Sequence, residues 1–182
     1  MPTKTGLKLG TTWQEINGNE AEWTSESNIL NSDPESTASL TFNSDPEDTP
    51  TTKLKVRGFN FALPRGAKVG GVELAFLLNA NQFDYTVRSQ LLVADAAAGT
   101  PKSFATETFG QVLFTLGGAT DLWGLSEITW EQVNDPLFGI FLNHIAGEGM
   151  SNGWYKLAYA QMSVWYEESN ASSLGIGQSP LP

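Results

Sequence analysis

The segment from Gly118 to Leu142, GATDLWGLSEITWEQVNDPLFGIFL, gathers side chains that could recognise a ligand. Asp121, Trp123, Trp130 and Asn134 have the makings of a sugar platform. A Trp ring would stack on the apolar face of a pyranose, while the Asp carboxylate and the Asn amide bond its hydroxyls. The same residues also suit a strand-to-strand crossover. Thr129 followed by Gln132 writes a capping box for one short helical turn near residues 129–134, and Asp135-Pro136 ends that turn and launches a strand. In that reading Trp123 and Trp130 plug an end of the core, which is the commoner use of large aromatics near loops. Asp121, Trp123, Trp130 and Asn134 are the candidate binding residues, for a glycan or for a partner.

Patterns that would carry catalysis are weak. Gly149 to Gly153, GMSNG, fits the Gly-x-Ser-x-Gly elbow, but an elbow needs a helix directly after Ser151, and an alternating strand follows instead. The single histidine, His144, precedes Ser151 and has no second ligand at zinc spacing. Glu20 with Glu22 and Glu167 with Glu168 read as solvated acids, since glycoside hydrolysis needs two carboxyls at a set separation in a cleft. Gly70-Gly71 and Gly117-Gly118 lack the Lys-Ser/Thr of a phosphate loop and read as turns. NSDPES from Asn31 and NSDPED from Asn43 bring together Asp33, Glu35, Asp45, Glu47 and Asp48 as conceivable calcium oxygens. Their spacing follows no calcium loop, so each reads as an Asx turn, with STASLTF as a strand between them. The sequence predicts a non-enzymatic protein with no cofactor and no metal.

Composition narrows the partner. The 182 residues suit one domain, and hydrophobic residues make up 40% of them, including ten Phe and six Trp. Twenty acidic residues against ten basic ones give a formal charge of −10. Such a chain repels phosphate, which argues against nucleic acid and anionic membranes as partners. Absence of cysteine excludes disulfides and thiolate chemistry. Its longest apolar run falls far short of a membrane span, and MPTKTGLKLG lacks the apolar core of a signal peptide. A soluble protein made in a cytoplasm is expected.

The elements that must carry these residues follow from alternation of period two between Gly, Pro, Asn and Asp. TKLKVRGFNFAL from Thr52 reads as one strand whose faces swap at Gly58, with Leu54 and Val56 on one side and Phe59 and Phe61 on the other. GVELAFLLN from Gly71 reads as a central strand with Val72, Leu74, Phe76 and Leu78 inward. FDYTVRSQLLVAD puts Tyr85, Val87, Leu91 and Val93 inside against Thr86, Arg88 and Gln90 outside. QVLFTL and PLFGIFLN are shorter strands, and WYKLAYAQMSVWYEE from Trp154 sets Ala158, Ala160, Met162, Val164 and Tyr166 against Tyr155, Leu157, Tyr159, Gln161, Ser163 and Trp165. The fold class is all-β, a two-sheet antiparallel β-sandwich. Residues 1–168 form this domain, with 1–50 partly an N-terminal extension, and 169–182 form a Ser, Gly and Pro rich tail that is flexible or docked on a partner.

Four motifs recur together: GFNFALP (Gly58 to Pro64), GAKVGGV (Gly66 to Val72), TDLWG (Thr120 to Gly124) and a last strand closing on Trp165 and Tyr166. In order and spacing the set resembles short phage virion proteins of jelly-roll architecture, over roughly Leu54 to Tyr166. The resemblance implies a structural component of a tailed phage particle, a capsid decoration or accessory protein residing in the virion. Its partner would be the major capsid protein or a tail protein. The apolar residues of the tail suit a homo-oligomer, with a trimer favoured. The alternative is a carbohydrate-binding module or a tail-associated host-attachment protein.

Overall fold

The computed structural model describes residues 1–16, 23–41, 53–80, 85–106, 110–146 and 154–169. Its strands in chain order are β1 (Thr3–Lys4), β2 (Lys8–Leu9), β3 (Thr12–Ile16), β4 (Trp23–Thr24), β5 (Ala38–Thr41), β6 (Lys53–Arg57), β7 (Lys68–Ala80), β8 (Tyr85–Val93), β9 (Ala96–Thr106), β10 (Gly110–Gly117), β11 (Gly139–Ala146) and β12 (Trp154–Glu167). A 3-10 turn spans Glu26–Leu30, and a single helical turn, α1, spans Trp130–Asn134. One sheet runs β10-β7-β12-β5-β4, with β1 and β2 also paired to β12; the other runs β3-β6-β11-β8-β9. All pairings are antiparallel, and the two sheets make a jelly-roll β-sandwich. Among the described residues no helix is long and apolar enough to cross a membrane.

Alternation builds the core. Val72, Leu74, Phe76 and Leu78 of β7 face Leu54 and Val56 of β6, Val87 and Leu91 of β8, and Ile140 and Leu142 of β11 within one buried cluster. β7 is central, paired to β10 on one side and β12 on the other. The helical turn forms as its capping box predicts: Thr129 Oγ1 accepts from the Gln132 N–H at 3.3 Å, and the Thr129 N–H donates to Gln132 Oε1 at 2.8 Å. Asp33 closes the first Asx turn, accepting from the Glu35 N–H and the Ser36 hydroxyl. Its twin at Asn43, the GMSNG segment and the tail beyond Ser169 lie outside the described residues, and for His144 only its place in β11 is described.

Several expectations are corrected. The strand from Thr52 stops at Arg57, where Gly58 at φ 74° turns the chain away. Beyond it Asn60 and Ala62 also take positive φ, 50° and 54°, so Phe59, Phe61 and Leu63 all enter the same core rather than opposite faces. β12 carries a bulge between Leu157 and Tyr159, which brings Tyr155 and Leu157 to the side of Ala160, Met162 and Val164. Gly70 and Gly71 lie inside β7, not in a turn. A Cβ at Gly71 would overlap the Gly118 carbonyl, so the glycine there admits a neighbouring backbone. The described residues of the first fifty supply strands to both sheets, β3 at the edge of one and β4 with β5 at the edge of the other.

Candidate functional site

The crossover after β10 is a staple. Gly118 N–H donates to the Val72 carbonyl at 3.1 Å, and Val72 N–H donates to the Asp121 carbonyl at 3.0 Å. The Trp123 indole N–H donates to that same Val72 carbonyl at 3.0 Å, and its backbone carbonyl accepts from Thr100 N–H at 2.6 Å. One Asp121 oxygen accepts from the Trp123 N–H at 2.8 Å, and the other pairs with Lys102 at 2.7 Å. The Lys102 ammonium also lies 5.5 Å from the Trp123 ring centroid. Burial pushes the Asp121 carboxyl up, but the Lys102 and Trp123 hydrogen bonds outweigh it and hold the group below the usual carboxylate range.

This geometry corrects the sugar-platform reading at its centre. Trp123 is 0% exposed, so neither ring face is open to a pyranose. Trp130 is half-buried and packs against the core. Asn134 is spent on the chain itself: its Oδ1 accepts from Leu63 N–H at 2.7 Å and its Nδ2 donates to the Leu63 carbonyl at 2.9 Å. Asp121 and Trp123 therefore share one staple, whereas Asn134 clamps α1 to the loop carrying Phe59 and Phe61. Asp121, Trp123 and Asn134 are thus engaged by hydrogen bonds within the fold, and Trp130 packs partly against the core.

A groove with open polar groups lies elsewhere, on the outer face of the five-stranded sheet. It encloses about 290 Å³ and is lined by Lys53, Arg88, Ser89, Gln90, Ala97, Pro101, Phe141 and Asn143. Neighbouring strands put these residues side by side: Phe141 of β11 registers with Lys55 on β6 and with Gln90 on β8, and Asn143 registers with Arg88. Their chain neighbours Ile140, Leu142 and Leu91 point into the core, which ties the outward residues to a rigid backbone. Pro101 sits on β9, an edge strand, in the stretch where the β8–β9 register shifts, a place that tolerates a residue without an N–H. The Ser89 hydroxyl is turned inward and donates to the Phe141 carbonyl at 2.9 Å.

Polar capacity in this groove is only partly used. Gln90 donates to the Gly99 carbonyl at 2.8 Å, and Asn143 is 8% exposed with an Oδ1 that has no hydrogen-bond partner. Beside the groove, Lys55 lies 5.2 Å from the Phe141 ring centroid and pairs with Asp95 at 3.1 Å. Arg57 reaches the same Asp95 oxygen at 2.8 Å and Gln14 at 3.1 Å. The Lys55 hydrogen bond first, then the two nearby positive charges, hold the Asp95 carboxyl below the usual range against the opposing effect of burial.

Sequence reasoning missed this groove because its residues come from four strands, and no short motif contains them. A signal was present nonetheless. Arg88 and Gln90 alternate with the core residues Val87 and Leu91, and Lys53, Lys55 and Arg57 alternate with the core residues Leu54 and Val56.

No protein-family model and no curated protein matches the chain. Among solved structures it is similar to a CBM4 carbohydrate-binding module, with 15% identity and a TM-score of 0.46 over 85% of this chain and 86% of that one. It is also similar to the enzymatically active domain of tailspike protein 4 of bacteriophage CBA120, with 9% identity and a TM-score of 0.47 over 84% of this chain. A third is an arabinose-bound GH51 α-L-arabinofuranosidase, with 12% identity and a TM-score of 0.49 over 88% of this chain. The chain spans 19% of the tailspike domain and 25% of the arabinofuranosidase. At these identities the likeness is one of fold.

Proposed function

We propose that the protein is a non-catalytic binding module that holds a short saccharide in the groove on the outer face of the β3-β6-β11-β8-β9 sheet. The observation that carries this reading is Phe141, set between the polar side chains of Gln90 and Asn143 on adjoining, core-anchored strands. A pyranose has an apolar C–H face and a rim of hydroxyls, and it needs this combination of an aromatic surface with fixed donors and acceptors. None of the described lining residues is Asp or Glu, the residue types that glycoside hydrolysis uses in pairs. Phe141→Ala should raise the dissociation constant for the polysaccharide the protein retains on an affinity gel by about tenfold, with the unfolding midpoint unchanged. Failure of the intact protein to be retained by any polysaccharide of a broad panel would overturn this reading.

A second reading rests on the recurring motifs from Gly58 to Tyr166. It places the protein in a tailed phage particle, attached to the major capsid or a tail protein as a homo-oligomer, with a trimer favoured. A saccharide groove on a tail-associated protein would join the two readings through host attachment. Immunogold labelling of purified particles should then decorate head or tail. Unlabelled particles whose mass spectra also lack the protein would remove the virion location.

A further inference from the structure

The groove is basic on an acidic protein. The whole chain carries a formal charge of −10 with ten Lys and Arg residues, yet four of the ten, Lys53, Lys55, Arg57 and Arg88, stand on or beside this groove. Asp95 is the carboxylate that answers them among the described residues, and it is taken up by Lys55 and Arg57. Lys53 and Arg88 are exposed and have no ion-pair partner among the described residues. An acidic surface screens and repels anions generally, so a local excess of cations in this polar groove selects for negative charge there.

The register adds a second requirement. Arg88 lies directly across from Asn143, which is nine-tenths buried and whose Oδ1 lacks a partner. A guanidinium accommodates a planar carboxylate or a sulfate with two parallel N–H bonds, whereas an unpartnered amide oxygen calls for a hydroxyl donor. A ligand satisfying both must carry an anion and a hydroxyl within one residue's span, with an apolar face for Phe141. Resting on the saccharide reading, we infer that the groove selects an acidic saccharide, bearing uronate carboxylates or sulfate esters, with Arg88 and Lys53 as the specificity-determining residues.

The test is calorimetric titration of the full chain with hexagalacturonate, with its carboxyl-reduced neutral counterpart, with a sulfated heparin-derived oligosaccharide and with polyphosphate. The expected result is binding of an acidic oligosaccharide at least tenfold tighter than of the neutral one, weakening as salt rises. Which of the two acidic probes binds identifies carboxylate or sulfate as the anion. Arg88→Gln should weaken that binding about tenfold and Arg88→Gln with Lys53→Gln should abolish it, at unchanged unfolding temperature because both side chains are exposed. Equal binding of the neutral oligomer, insensitive to the charge variants, would overturn the acidic selectivity and leave the saccharide reading standing. Absence of binding to all three oligosaccharides would overturn the acidic selectivity, and failure to be retained by any polysaccharide of the broad panel would overturn the saccharide reading with it. Polyphosphate binding as tightly as the acidic sugars would overturn the sugar as the source of the anion.

Discussion

Trp123→Ala should lower the stability of the domain by about 3–5 kcal/mol, a fall in Tm of roughly 6–20 °C. Trp123 is the largest completely buried side chain among the described residues, and its removal opens a cavity where the crossover meets β7 and β9. The loss goes beyond volume. Val72 would keep one N–H on its carbonyl, from Gly118, but lose the indole N–H, and Lys102 would lose the ring beneath it. Trp123→Phe should recover part of the packing but not the indole bond. Urea denaturation of the three proteins measures both steps. Groove binding, assayed at a temperature where all remain folded, should be untouched. A Trp123→Ala protein of wild-type stability that had lost ligand binding would instead restore the sugar-platform reading and remove the staple.

Asp95→Ala should cost about 1–3 kcal/mol at neutral pH. Removal leaves Lys55 and Arg57, whose side chains are 10% and 15% exposed, without their carboxylate, and an unpaired cation in a poorly hydrated place is costly. Asp95 itself is 35% exposed, so solvent screening keeps the effect well below that of a fully buried ion pair. Backbone strain adds to the loss. Ala94 and Asp95 form the tight link between β8 and β9 with φ of 50° and 64°, a conformation that favours Asn-Gly, and the ion pairs help hold it.

The pH dependence has a definite sign. Asp95 and Asp121 both have carboxyls held below their unfolded value of 3.8. Their stabilisation is therefore complete above the ordinary carboxylate range and is lost as pH falls through the lowered folded-state values. The stability difference between the wild type and Asp95→Ala should stay constant from about pH 6 to 8 and shrink below about pH 4. Chemical denaturation across that range would show it. An unchanged acid slope in the variant would mean that Asp95 is not a lowered carboxyl in the folded protein.

Local rules in the sequence account for much of the scaffold. Val72, Leu74, Phe76 and Leu78 recur at period two within one long apolar stretch, and only a strand between two neighbours buries such a face. The Thr129–Gln132 box and the Asp33 turn involve residues two or three apart, so their hydrogen bonds are legible without a fold. What depended on distant partners was not legible. The bulge at Leu157 and Tyr159 is set by the register against β7, and the turn-away at Gly58 by the core waiting for Phe59, Phe61 and Leu63.

The site divides along the same line. Asp121, Trp123, Trp130 and Asn134 determine by their types that something there is stacked and hydrogen-bonded, but an aromatic beside an acid reads alike whether its face is open or sealed. Tertiary structure sealed the Trp123 face, because Val72, Thr100 and Lys102 arrive from β7 and β9 to take up the polar groups of Trp123 and Asp121. The opposite happened on the other sheet. Lys53, Arg88, Phe141 and Asn143 are unremarked singly, and they become a groove because antiparallel register lays β6, β11 and β8 side by side with these residues outward. Charge and alternation along the chain determined which residues would face water; only the pairing of strands decided which of them would share one groove.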